Sequence, residues 1–133
     1  MLHQYDEAIE SLNQLLVHTP NDSMALAARG LLRARSGMRE LAVKDGNLAL
    51  ALNESADCLY QVARIFAQAS KQHPDDADNS VRLLREAIRK NIGLATMADQ
   101  DPDLSPISSR SDFGNVLDAA LQLSGTMNES SAL

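Results

Sequence analysis

A beat of short apolar segments is the feature that most constrains this chain. Residues such as Leu, Ile and Ala recur three and four apart, and proline, glycine or an Asn/Asp/Ser cluster cuts the pattern at near-regular intervals. That spacing puts the apolar side chains on one face of a helix, which must then be buried against something else. The first segment, about Tyr5 to His18, carries Tyr5, Ile9, Leu12, Leu15 and Leu16 on one face and is stopped by Pro20. Asn21, Asp22 and Ser23 offer cap oxygens to a second helix with Leu26, Gly30, Leu31 and Ala34, which ends at Ser36-Gly37. A third helix starts near Met38 and runs through Ala42, Leu48, Ala49 and Leu52, where Asn53-Glu54-Ser55 breaks it. Ser55 caps a fourth, from about Ala56 to Gln72, which Pro74 closes. Asp75, Asp76 and Asp78 lie where carboxylates favour the start of a fifth helix, about Ala77 to Lys90. Its Arg85, Arg89 and Lys90 suit the negative pole at its end. Beyond Gly93 the pattern weakens. Leu94 to Ala98 reads as one or two turns, Asp101 to Pro106 as a loop, and Ser111 as the cap of a last helix through about Leu123. Residues 124–133 are small and polar, and the composition predicts disorder there.

The composition agrees with helices. Hydrophobic residues make up 44% of the 133 residues but aromatics only 3%, so the apolar mass is mostly Ala and Leu, strong helix formers. A β-sandwich would want more β-branched and aromatic residues. A chain of this length buries roughly two-thirds of its unfolded surface and needs neither disulfide nor metal to hold a core. The net charge of −6 argues against a duplex nucleic-acid binder. Cys58 is the single cysteine, so no intrachain disulfide forms, which suits a reducing, cytoplasmic setting. No apolar run reaches the length of about 18 residues that a membrane span needs. The first residues, Met1 to Glu7, lack the basic start and apolar stretch of a signal peptide. The Asn-x-Ser triplets at Asn21, Asn53 and Asn128 therefore read as chance.

The beat is also an internal repeat. Ala8, Leu12, Leu15 and Pro20 become Ala42, Gly46, Ala49 and Glu54 thirty-four residues on, and Ser80, Leu84, Ala87 and Ile92 thirty-eight after that. Leu26 with Arg29-Gly30 matches Tyr60 with Ala63-Arg64, so the four extra residues lie in the turn from Gln72 to Asp78. Gln4-Tyr5-Asp6-Glu7-Ala8-Ile9, closed by Thr19-Pro20-Asn21-Asp22, resembles the second helix of a tetratricopeptide repeat. Ala25 to Glu54 resembles one whole repeat, with Gly30, Gly37, Ala42 and Ala49 at the small positions, and Leu59 to Ile92 a divergent one. The tail through Leu104-Ser105-Pro106 and Phe113 resembles the end of some bacterial repeat arrays, including those fused to signalling kinases. The departures are Glu54 and Ile92 for the closing proline, Gly46 for a large packing residue, Arg64 for a small one, and the longer turn.

The resemblance implies an all-α, right-handed stack of antiparallel helical hairpins over residues 1–123. It divides into a half repeat at 4–20, repeats at 23–54 and 57–92, and a C-terminal cap at 94–123. It also implies a protein-interaction role, as an accessory part of a larger regulatory or signalling protein, with a protein or peptide held in a concave groove. Carried over position by position, that groove is lined by Met24, Ala27, Ala28, Leu31, Arg35, Gln61, Val62, Ile65 and Gln68. It is mostly apolar. Some family members grip a terminal carboxylate, but the matching positions hold Ala27, Ala28, Leu31, Cys58 and Val62, so no such grip is expected. The alternative is a structural capping or dimerisation element without a free groove. Phe113, Val116, Leu117 and Leu121 dock on the fourth helix, the fifth helix or the groove, and capping of the last hairpin is favoured. The pattern opens on the second helix of a hairpin, which leaves one side of the first helix uncovered. Either the chain is a fragment of a longer array, the favoured reading, or that side pairs with another subunit in a homodimer.

No catalytic, cofactor or metal site is expected, and the chain reads as a non-enzyme. His3, His18 and His73 have no metal-binding spacing with one another or with Cys58. Cys58 near a helix start reads as a packed, inert thiol. Asp99, Asp101 and Asp103 alternate like a calcium loop, but Leu104 and Arg110 stand where Gly and Glu are needed. A solvated turn is the better reading. No phosphate-binding glycine loop or nucleophile–base pair appears.

Overall fold

The computed structural model describes residues 3–132, and the side chains of residues 4–125. The helices are α1 (His3–His18), α2 (Ser23–Arg35), α3 (Arg39–Leu52), α4 (Ala56–Ala69), α5 (Asp76–Lys90), α6 (Leu94–Asp99), a 3-10 helix (Pro102–Ile107) and α7 (Ser111–Ala132). No strand occurs among the described residues. The fold class is all-α, a stack of packed helical hairpins.

Local chemistry sets the breaks. The Asp22 carboxylate accepts from the Ala25 N–H at 3.0 Å and starts α2. Gly37, at φ +82°, ends it. Its N–H donates to the Ala34 carbonyl and the Met38 N–H to the Arg33 carbonyl, the paired bonds of a left-handed helix stop. Ser55 accepts from the Cys58 N–H at 3.2 Å and starts α4. That helix ends at Ala69, three residues short of the expected Gln72, because the backbone tightens into turns over 70–73 before Pro74.

α2 packs on α3 and α4 on α5, and the hairpins stack through α2 on α4 and α3 on α4. α4 is therefore enclosed, with ten of its fourteen residues buried. The hairpins close through small residues. A Cβ at Gly30 would lie 2.7 Å from Ile65 Cδ1, and one at Gly46 would lie 3.4 Å from the same atom. Gly46, a departure from the repeat pattern, thus makes room for Ile65, which is wholly buried. In the next hairpin the Ser80 hydroxyl donates to the Ala63 carbonyl at 2.6 Å, so α5 approaches the backbone of α4 closely.

The C-terminal third differs from its sequence reading in two ways. The expected loop at 101–106 is a 3-10 helix that packs on α4 and α5, with Leu104 and Ile107 wholly buried. The stretch expected to be disordered from residue 124 is helical as far as Ala132, and Leu133 lies outside the described residues. No proline interrupts 111–132, and each residue added to an existing helix gains a hydrogen bond. α7 packs on α6 and α5, while the 3-10 segment packs on α4 and α5.

Candidate interaction surfaces

The residues expected to line a concave groove lie on α2 and α4. Of its expected lining, Ala27, Val62 and Ile65 are fully buried, and Leu31 and Gln68 are each 6% exposed. These five pack inward. Met24 and Ala28 are exposed, and Arg35 and Gln61 are half-buried. One end of this face is already occupied by the chain itself. Arg35 donates to both Asp103 oxygens, at 2.9 and 2.6 Å, and its guanidinium lies 5.8 Å from the Tyr5 ring centre. Arg64 also bonds Asp103, and its Nε lies 3.1 Å from Asp101. The Tyr60 hydroxyl donates to Asp101 at 2.6 Å, and the Gln68 amide donates to the Asp103 carbonyl at 2.9 Å. The α2/α4 face thus carries two arginines, and the chain's own acidic turn neutralises them.

This corrects the reading of Asp99, Asp101 and Asp103 as a solvated turn. Asp99 is exposed, Asp101 is half-buried and Asp103 is 6% exposed. Burial opposes ionisation of Asp103, but bonds from Arg35 and the Arg64 charge outweigh it and hold the carboxyl below its ordinary range. Burial, then the bond to Asp101, pushes the Tyr60 hydroxyl well above the ordinary phenol range. Among the described residues no group of three or more His, Cys, Asp or Glu is placed to hold a metal ion.

Two further buried carboxylates escaped the sequence reading. Asp45 on α3 accepts from Arg29 at 3.0 and 2.8 Å and from Arg33 at 2.9 Å on α2. Asp76 accepts from Arg39 at 2.6 and 2.9 Å, tying α5 to α3, although its position reads as a solvated helix start. Asp45 left one usable signal. It lies between Ala42 and Ala49 on the packed face, where a charge needs a partner. Nothing local marks Asp76 or Asp103, whose arginines are thirty-seven or more residues away.

Apolar side chains stay exposed in several places, Leu41, Leu48 and Leu52 of α3 among them, and two such surfaces concern α1, α5 and α7. The first is on α1. Ala42, Ala49, Ser80 and Ala87 are fully buried, yet their repeat equivalents Ala8 and Leu15 are exposed, Leu15 by 44%. Leu12 is half-buried. Tyr5, Ile9 and Leu16 turn towards the stack, with Asn13 accepting from Arg29 at 2.9 Å. The second is a groove of about 510 Å³ between α5 and α7. Ile88, Ile92, Val116, Ala120 and Leu123 line it, with Arg85 and Arg89 at its rim. Cys58 is buried, which pushes its thiol up and makes it a poor nucleophile. His18 is exposed, and His73 stands 3.8 Å from Asp76. No helix of the described residues is long and apolar enough to cross a membrane. Comparison with protein-family models, with curated proteins and with solved structures gives no match to this chain.

Proposed function

We propose that the chain is a tetratricopeptide-type protein-interaction module, and that it binds a helix of a partner protein on the open face of α1. One observation carries this reading. Ala8 and Leu15 stand at positions whose equivalents in α3 and α5 are wholly covered by a neighbouring helix. Such a face is shaped for helix packing, because a small residue and a large one alternate along it. The concave face supports a narrower role than its sequence implied. Met24, Ala28 and Gln61 stay reachable, while Arg35, Arg64 and Gln68 are engaged by the acidic turn. A structural or dimerising role is the second reading, favoured by that same engagement. A cytoplasmic setting goes with either, supported by the single buried thiol.

The test is partner capture by surface variants. Ala8→Arg and Leu15→Arg should abolish capture and leave the melting curve unchanged, whereas Met24→Glu and Gln61→Glu should leave capture intact. The reverse pattern would place the binding site in the concave groove instead.

A further inference from the structure

We infer that the helix covering α1 belongs to a second copy of this chain, with α1 of one copy seated in the α5/α7 groove of the next. This rests on reading α1 as a helix-packing face, and goes beyond it by naming the occupant.

Charge identifies the match. Arg29, Arg33, Arg35, Arg39, Arg64 and Arg110 are each held by a carboxylate. The remaining arginines, Arg82, Arg85 and Arg89, all lie on α5, are exposed, and have no carboxylate partner among the described residues. Arg85 and Arg89 stand one turn apart on the rim of an apolar groove. α1 is the complement. It carries Asp6, Glu7 and Glu10 and neither Lys nor Arg. Glu7 borders the open face of Ala8 and Leu15, whereas Glu10 accepts from Asn13 on the side that faces Arg29.

Shape agrees with charge. The groove offers Val116, Ile92 and the 59% exposed Leu123 to an incoming apolar ridge, and α1 offers the exposed Leu15 with the small Ala8 at the closest approach. Seating removes apolar surface from both sides at once, and the Glu7 carboxylate meets the Arg85 and Arg89 guanidinium groups at the rim. The contact is heterologous, since the two patches differ. A seated pair keeps one unfilled patch of each kind, a groove on one copy and an α1 face on the other, so association extends until a ring closes or an open chain forms. Opposite charge at the rim also makes the assembly salt-sensitive.

Light scattering on the full chain over a concentration series tests this. Wild-type protein should rise above the 14.4 kDa monomer with concentration and fall back towards it in high salt. Glu7→Arg and Arg85→Glu/Arg89→Glu should each remain monomeric while melting as the wild type does. Mixing these two variants should restore association, because the acidic α1 of the second fits the basic groove of the first and its reversed groove takes the reversed α1. Self-association that survives Arg85→Glu/Arg89→Glu overturns the inference in favour of α1 meeting α1. A wild-type monomer at every concentration overturns it outright. If Ala8→Arg still abolishes capture of another protein in that case, the reading of α1 stands and only the occupant is wrong.

Discussion

α1 and α3 are built to one pattern and end in different surroundings. Ala8 and Ala42 are the same residue at the same repeat position, thirty-four apart, yet Ala42 is wholly buried and Ala8 is exposed. α3 packs on α2 and also on α4, whereas α1 packs on α2. The small residue is therefore no record of what it touches in this chain. It records the closeness of approach that the face allows, and on α1 that approach is still on offer. Burial in a stack of hairpins depends on the next helix as much as on a helix's own sequence.

The sharpest way to break this comparison is to substitute equivalent positions in both helices. Asp45 is the counterpart of Ser11. Asp45→Ala should cost about 3–5 kcal/mol, because it strands Arg29 and Arg33 in a largely buried site. Ser11→Ala on exposed α1 should change stability by less than about 0.5 kcal/mol. Denaturant unfolding reads both, and similar losses would mean that α1 is packed as fully as α3. Ala49→Leu should overpack the α2/α3 hairpin by about 1–3 kcal/mol, while Ala8→Leu should leave the melting curve nearly unchanged.

Gly30→Ala is a finer probe of the same closeness. Its new methyl would meet Ile65 Cδ1 at 2.7 Å and the Ala42 carbonyl at 3.1 Å. Helix propensity returns up to about 1 kcal/mol, so a net loss on the order of 1 kcal/mol is expected. Adding Ile65→Val should relieve part of it. A stabilised Gly30→Ala variant would show that α2 and α3 are looser than the structure has them.

Acid adds a smaller, pH-dependent contrast between the Asp103 cluster and α1. Arg35 and Arg64 hold the folded Asp103 carboxyl below its unfolded value, so the folded chain takes up that proton less readily. The resulting stability is complete above about pH 4 and is lost as pH falls through the folded value. Asp103→Asn should flatten this part of the acid-unfolding curve. An unchanged slope would remove Asp103 as the source.

The pattern of the fold was legible because helix starts and stops are local. Asp22, Gly37 and Ser55 act within four residues of themselves, and the spacing of Ala42, Ala49, Leu84 and Ala87 marks the packed faces directly. The chemistry around Asp103 was not, because it is long-range. Arg64 looks like a flaw in a small-residue position until Asp103 arrives beside it, and Asp103 looks like a solvated turn residue until Arg35 and Arg64 do. Periodicity says which face is inside. It does not say that a carboxylate there will meet an arginine from another repeat. The same limit explains why Leu31 and Ile65 read as groove lining. Both lie on α2 and α4 faces that the family pattern turns outward, but the closeness enforced by Gly30 and Gly46 draws Ile65 into the core.

Amide hydrogen exchange, followed segment by segment as protein concentration rises, tests the central claim most directly. In dilute solution the amides of residues 8–15 should exchange far faster than those of 42–49. They should then gain protection together with residues 85–92 and 116–123 as the copies associate. Equal protection of the two helices in the dilute monomer would contradict an open packing face on α1, and so would a rise in concentration that leaves residues 8–15 unprotected.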